Sequence, residues 1–230
     1  FLQKIEGLNS YKLGWGTSDA KSVTLSFYVK STKTGVHSGA FKNSAQDRSY
    51  VFEYTVNSSN TWEFKTVTVA GDTSGTWLTT NGIGVQVTFA LMAGTDFTKA
   101  AGSWGTGNNY GSDNQVNVMD STSNEWYITG IQLEVGEVAT PFEHESYGDT
   151  LLKCQRYFEI CGWVPRTDNL LACVDYKVEK RAQSTIAVVS SDAAGFSVSV
   201  NELRDSRQGF YQSANASHTT RVTMSSDAEL

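Results

Sequence analysis

Val23-Thr24-Leu25-Ser26-Phe27-Tyr28-Val29 places an apolar residue at every second position and small or polar residues mostly between them. Side chains on a strand point to opposite faces in turn, so this spacing describes a strand with one face buried and one face wet. Phe64-Lys65-Thr66-Val67-Thr68-Val69 has the same period. A one-sided strand belongs to an antiparallel sandwich rather than to a parallel α/β sheet, whose strands are buried on both faces. Parallel strands would also need crossover segments of a dozen or more residues, and no helical periodicity of that length occurs before residue 146.

Working outward from this stretch, further candidate strands occupy residues 1–8, 35–41, 49–56, 62–69, 83–92, 115–119 and 126–135, separated by clusters of Gly, Asn, Asp and Ser. With 23–30, these suit two facing sheets. Trp62 and Trp126 fall inside alternating stretches and are expected to fill the core. The composition agrees: 20 Gly, 2 Pro, 12% aromatic and 18% charged residues in a Thr- and Ser-rich chain favour strands and turns.

At residues 139–148 the alternation stops and Pro141 and Gly148 punctuate the chain, so a boundary is expected between a domain at 1–145 and a second at 146–230. Leu151, Cys154 and Phe158 then stand at helical spacing, with Asp149 available as an N-cap, which predicts one short helix at the junction. Alternation resumes at 157–163, 170–178, 185–189, 196–200, 210–213 and 219–224, the pattern of a smaller β domain.

The net charge of −6 is uneven, with 9 basic against 14 acidic residues in 1–145 and 9 against 10 in 146–230, so no nucleic-acid partner is expected. No apolar run suits a transmembrane helix and no signal peptide opens the chain, so no membrane insertion is expected. Cys154, Cys161 and Cys173 are odd in number and lack CxxC spacing, which predicts buried free thiols in a protein folded in a reducing cytoplasm.

Trp126-Tyr127-Ile128-Thr129-Gly130-Ile131-Gln132-Leu133-Glu134-Val135-Gly136, followed by Ala139-Thr140-Pro141-Phe142-Glu143-His144, resembles the closing strand and exit of a jelly-roll, carbohydrate-binding-like module of bacteriophage tail fibres. Gln3-Lys4-Ile5-Glu6-Gly7, Leu13-Gly14-Trp15-Gly16-Thr17, the stretch at 20–27, Asn60-Thr61-Trp62-Glu63 and the stretch at 69–77 match the same pattern in order. Cys154-Gln155-Arg156-Tyr157-Phe158, Lys177-Val178-Glu179-Lys180-Arg181-Ala182 and Asp227-Ala228-Glu229-Leu230 resemble the C-terminal module that follows it. The resemblance implies an all-β chain: an antiparallel jelly-roll β-sandwich followed by a smaller β domain. It implies a virion structural protein made in the host cytoplasm and placed on a tail fibre or other particle surface. Its expected partners are two further copies in a homotrimer, a host surface glycan, and other virion proteins held through a region preceding Phe1, since the chain opens with the pattern already under way. A capsid decoration protein, or a glycan-binding module accompanying a polysaccharide-degrading enzyme, would use similar parts.

Catalysis finds little support. His37, His144 and His218 are scattered, lack HExxH or HxH spacing and read as surface residues. Asp96, Asp113, Asp120 and Glu125 could in principle supply the carboxylate pair of a glycoside hydrolase, but the sequence does not give the separation that the mechanism requires, and the chain is not expected to be an enzyme. No cofactor is expected; the acidity of the first domain permits a structural calcium ion, but no DxDxDG loop is present. Gly102-Ser103-Trp104-Gly105-Thr106-Gly107 lacks the Lys and following helix of a phosphate cradle and reads as a flexible loop.

Within residues 94–113, Trp104 and Tyr110 are the candidate glycan contacts, since aromatic faces stack on sugar rings. The other reading is that they cover the open end of the sandwich or pack against another subunit. Arg207 and Tyr211, in a segment rich in Arg, aromatics and amides, are candidates for acidic polysaccharide or a neighbouring chain, against a solvated hairpin.

Overall fold

The computed structural model describes residues 1–163, 174–191, 208–209 and 222–230. The chain is all-β, built largely of antiparallel sheets, and divides into two compact units, Phe1–Glu143 and His144–Leu230.

In the first unit, β1 (Leu2–Glu6) leads into the helical turn α1 (Gly7–Ser10), followed by β2 (Val23–Ser31), β3 (Gly35–Lys42), β4 (Arg48–Val56), β5 (Glu63–Val69) and β6 (Ile83–Ala90). Three short strands follow, β7 (Thr98–Lys99), β8 (Trp104–Thr106) and β9 (Gly111–Ser112), and then the long β10 (Trp126–Val135). A five-stranded sheet has the order β1-β6-β3-β4-β8, and a three-stranded sheet has the order β10-β2-β5. Pairings nest: β3 with β4, β2 with β5 outside them, and β1 with β6 outside those.

The two sheets share one core. Val23, Leu25, Phe27 and Val29 of β2 meet Phe41, Phe52, Tyr54, Val56, Val85, Val87 and Phe89 of the larger sheet. Phe27 is fully buried, edge-on to Tyr54 at 5.1 Å and to Phe89 at 5.0 Å, the T-shaped geometry that aromatic quadrupoles favour.

Several expectations need correction. The first strand ends at Glu6, not at residue 8, because Gly7 and Leu8 donate to the carbonyls of Gly82 and Thr80 at 2.8 and 2.9 Å and turn the chain. Residues 115–119 form no strand. The Asn117 side chain accepts from the Met119 amide at 2.9 Å and caps a 3₁₀ turn at Val118–Asp120, a local bond that competes with strand pairing. The stretch 102–107 is not a free loop, since β8 adds to β4 at the sheet edge. Trp62 is 46% exposed rather than in the core, because it precedes β5 on the face opposite the buried Val69. Trp126 is half-buried against the core and donates to the Tyr54 hydroxyl at 3.2 Å.

His37 is also not a surface residue. It is 1% exposed, stacked on Tyr54 at 5.5 Å, with Nε2 2.9 Å from the Lys33 carbonyl. Its Nδ1 is buried without a hydrogen-bond partner among the described residues. Burial holds its pKa below the ordinary 6.5, outweighing the Lys33 carbonyl bond. Because the folded pKa is depressed, the unfolded chain binds the proton first as pH falls through 6.5, and stability is lost until the folded value is passed. The thermal midpoint should therefore fall more steeply between neutral pH and pH ~5 than in His37→Phe, which keeps the ring but cannot titrate. Equal slopes in scanning calorimetry would mean that His37 is not the group responsible.

The second unit contains α2 (Tyr147–Gln155), β11 (Phe158–Trp163), β12 (Val174–Asp175), β13 (Thr185–Ser191), β14 (Gln208–Gly209) and β15 (Val222–Asp227). β15 lies between β11 and β13 in an antiparallel sheet. The α2 N-cap is Ser146, whose hydroxyl accepts from the Asp149 amide at 3.2 Å; Asp149 sits in the first turn, where a carboxylate favours the helix dipole. Cys154 is a free, exposed thiol rather than a buried one. The helix stops at Gln155, so Phe158 begins a strand and the anticipated apolar stripe never forms. Cys173 lies outside the described residues.

Candidate functional site: an aromatic outer face on the three-stranded sheet

Because residues paired across an antiparallel ladder point to the same face, the register of β10-β2-β5 gives its outer surface directly. Thr129, Tyr28 and Phe64 stand in one row, and Gln132, Ser26 and Thr66 in the next. Tyr28, Phe64 and Tyr127 are exposed on this face, with Trp62 beside them and Phe142 from the chain beyond β10. Large exposed aromatics gathered on one sheet face mark a contact surface, whereas single ones do not. Tyr28 and Phe64 lie 5.0 Å apart at 49°. The Lys30 ammonium lies 4.6 Å from the Tyr127 ring centre and 5.6 Å from that of Trp62, a cation–π arrangement that holds both rings.

Beside these rings is a cleft of about 320 Å³, at the lower end of the ~300–1,000 Å³ of ligand sites, lined by Ser26, Tyr28, Phe64 and Gly130 on the sheet and by residues 139–142. Two local features build it. β10 carries a bulge between Thr129 and Gln132, where Gly130 takes φ +57°, a left-handed conformation natural to glycine. A Cβ at Gly130 would lie 3.3 Å from the Tyr28 ring and 3.9 Å from the Phe142 ring, so the missing side chain leaves the cleft open. The chain after Gly136 then folds back over the sheet. Gln132 Nε2 donates to the Thr140 hydroxyl at 3.3 Å, Gln132 Oε1 accepts from the Glu143 amide at 2.8 Å, and Glu134 accepts from the Thr140 amide at 3.0 Å and from its hydroxyl. These bonds, led by the Thr140 hydroxyl, keep the Glu134 carboxyl below its ordinary pKa.

Of the residues expected to touch glycan, Trp104 and Tyr110 lie away from this face. Trp104 packs against Trp15 at 5.2 Å, Trp77 at 5.4 Å and Tyr50 at 5.4 Å, and its indole N–H donates to the Ala70 carbonyl at 2.6 Å. Tyr110 carries the Lys42 ammonium 3.3 Å from its ring centre, meets Phe97 edge-on at 5.8 Å and donates to Gln46 at 3.1 Å. Arg207 and Tyr211 lie outside the described residues. Among the described residues, no group of three or more His, Cys, Asp or Glu is placed to hold a metal ion.

Tyr28, Phe64, Trp62, Tyr127 and Phe142 were missed as site residues, although strand parity signals three of them. If Leu25, Phe27 and Val29 face inward, Tyr28 faces outward; Val67 and Val69 likewise send Phe64 out, and Trp126 sends out Tyr127. Comparison of the chain with protein-family models, curated proteins and solved structures finds no match.

Proposed function

We propose that the chain is a non-enzymatic attachment module of a bacteriophage particle, of the tail-fibre type, which holds a host surface glycan on the outer face of its three-stranded sheet. The observation that carries this reading is the set of exposed rings around the cleft, Tyr28, Phe64 and Phe142, with Tyr127 and Trp62 extending it. Aromatic faces meet the C–H faces of sugar rings, and nearby hydroxyls and amides serve the sugar hydroxyls. The nested strand pairing supports the jelly-roll part of the reading. The tail-fibre part rests on the resemblance of the motifs quoted above. Leu151 and Leu152, exposed on α2, offer apolar surface that suits assembly into a trimer, and three copies would convert weak single-site binding into avidity.

An array of bacterial surface polysaccharides probed with the chain tests the proposal. Each stacked ring contributes about 0.5–1.5 kcal/mol beyond its buried area. Tyr28→Ala, Phe64→Ala and Phe142→Ala should therefore each weaken binding roughly two- to tenfold, and the triple variant should lose it. Since these side chains are exposed, the thermal midpoint should move little. Undiminished binding by the folded triple variant, or no glycan binding by the parent chain, would overturn the proposal.

A further inference from the structure

The geometry points to an uncharged sugar unit as the occupant of the cleft, so that the chain selects neutral over acidic glycans. This rests on the glycan-binding reading above and narrows it. No carboxylate, ammonium or guanidinium lines the cleft; its walls are aromatic rings, Ala139, Pro141, Gly130 and the side chains of Ser26 and Thr140.

Ser26 supplies the first specific argument. It is 3% exposed, it lines the cleft, and its hydroxyl has no hydrogen-bond partner among the described residues. Its neighbours on the same face are engaged: the Thr24 hydroxyl bonds to Thr68 at 3.0 Å and to the Gly136 carbonyl at 2.9 Å. A hydroxyl that opens into the cleft and is engaged by no protein group is free to exchange hydrogen bonds with a sugar hydroxyl entering there.

Charge supplies the second. The Thr140 hydroxyl gives its proton to Glu134 and accepts from Gln132 Nε2, which leaves one lone pair to accept from a ligand hydroxyl but no proton to offer an anion. Glu134 does not line the cleft but binds the Thr140 amide and hydroxyl at its edge, and these bonds keep its carboxyl ionised. A uronate or sialate carboxylate bound at Thr140 would lie near the Glu134 carboxylate, with no cation among the residues lining the cleft to offset the repulsion. Among the described residues of the three-stranded sheet, Lys30 presents an ammonium on this face; it lies over the Tyr127 and Trp62 rings, and Glu125 acts on the same tyrosine, raising its pKa. That end of the face is balanced rather than basic.

The test measures binding of the full chain to neutral polymers (dextran, mannan, galactan) and to acidic ones (alginate, hyaluronate, polysialic acid) at 20 mM and 300 mM salt. At least one neutral polymer is expected to bind with salt-independent affinity, and each acidic polymer at least tenfold more weakly. Ser26→Val, which removes the hydroxyl at similar volume, should lose at least tenfold on the neutral polymer without lowering the thermal midpoint. Glu134→Gln should narrow the gap between acidic and neutral polymers. Stronger binding to an acidic polymer, weakened by salt, would overturn this inference and leave glycan binding standing. Full binding by a folded Ser26→Val would remove the hydroxyl argument. Binding to none of the six would overturn both the inference and the reading beneath it.

Discussion

Lys180→Met is expected to lower the unfolding midpoint of the C-terminal unit by roughly 15 °C or more while leaving that of the N-terminal unit unchanged, at about 4–8 °C per kcal/mol for a domain of this size. The Lys180 side chain is 0% exposed, and its ammonium donates to the Gln155 carbonyl and to Glu159 Oε2 at 3.2 Å while lying 4.7 Å from the Tyr176 ring centre. Glu159 is 4% exposed and has a second cation, Lys177, at 3.8 Å; that lysine is largely in water and contributes little. Removing one member of a buried pair strands the other, at a cost of about 3–5 kcal/mol. Removing both is far cheaper, so Lys180→Met/Glu159→Leu should recover much of the loss, with a residual deficit from the unpaired Gln155 carbonyl. Two resolved calorimetric transitions give the measurement. A shift below about 5 °C for the single variant would show that the pair is dispensable.

In the same cluster three separate stretches of the sequence meet. Lys180 reaches the Gln155 carbonyl, the Arg181 amide donates to the Arg156 carbonyl at 3.1 Å, and the Ala228 amide donates to the Tyr157 carbonyl at 2.7 Å. The Arg181 guanidinium then binds the carbonyls of Ala228 at 2.8 Å and Glu229 at 2.9 Å. Cys154–Phe158, Lys177–Ala182 and Asp227–Leu230 are thus one latch, which ties the start of the unit to the end of the chain. The motifs quoted for the resemblance in this unit are structural at these positions.

The antiparallel sandwich was legible because its main signal is local: alternation in β2 requires only neighbouring residues. Part of what failed depended on contacts distant in sequence, and part on strand parity left unused. His37 lacks any apolar flag, and its burial comes from stacking on Tyr54 in the paired strand. Trp62 resembles a core residue by type, and only its parity with Phe64 across from Val67 and Val69 shows that it faces out. The outer face could have been read from parity alone. The cleft could not, because it needs the Gly130 bulge and the return of residues 139–142 onto Gln132 and Glu134, a fold-back that no periodicity encodes. Trp104 was singled out by its Gly-rich surroundings, which here let β8 add to a sheet edge and carry the indole against Trp15 and Trp77.

That tryptophan cluster leads to the second large effect, in which Asp72→Ala destabilises the N-terminal unit by about 3 kcal/mol, near the lower end for a broken buried pair. Asp72 is 2% exposed and accepts from Arg48 Nε at 2.8 Å, from Arg48 Nη2 at 2.7 Å and from the Ser74 amide at 3.0 Å. Arg48 opens β4 in the larger sheet and Asp72 follows β5 in the smaller one, so the two-pronged bond ties the sheets at one end of the sandwich. Such paired N–H···O⁻ bonds combine charge with a fixed orientation. The Asp72 carbonyl also accepts from the Gly16 amide at 2.7 Å, next to Trp15, and Trp77 donates to the Ser74 carbonyl at 3.1 Å. Losing the carboxylate should therefore loosen the positions of Trp15, Trp77 and Trp104 together. Arg48 is 17% exposed and can partly rehydrate, which is why the cost stays near the lower limit. Asp72→Asn keeps an acceptor for Ser74 and should lose less than Asp72→Ala. Chemical denaturation followed by tryptophan fluorescence measures both the stability and the packing of the three indoles. The aromatic face proposed to bind glycan lies on the other side of the smaller sheet's strands, and any affinity it has should be retained at temperatures where the variant remains folded. A denaturation midpoint equal to that of the parent chain would show that the bridge does not hold the sheets.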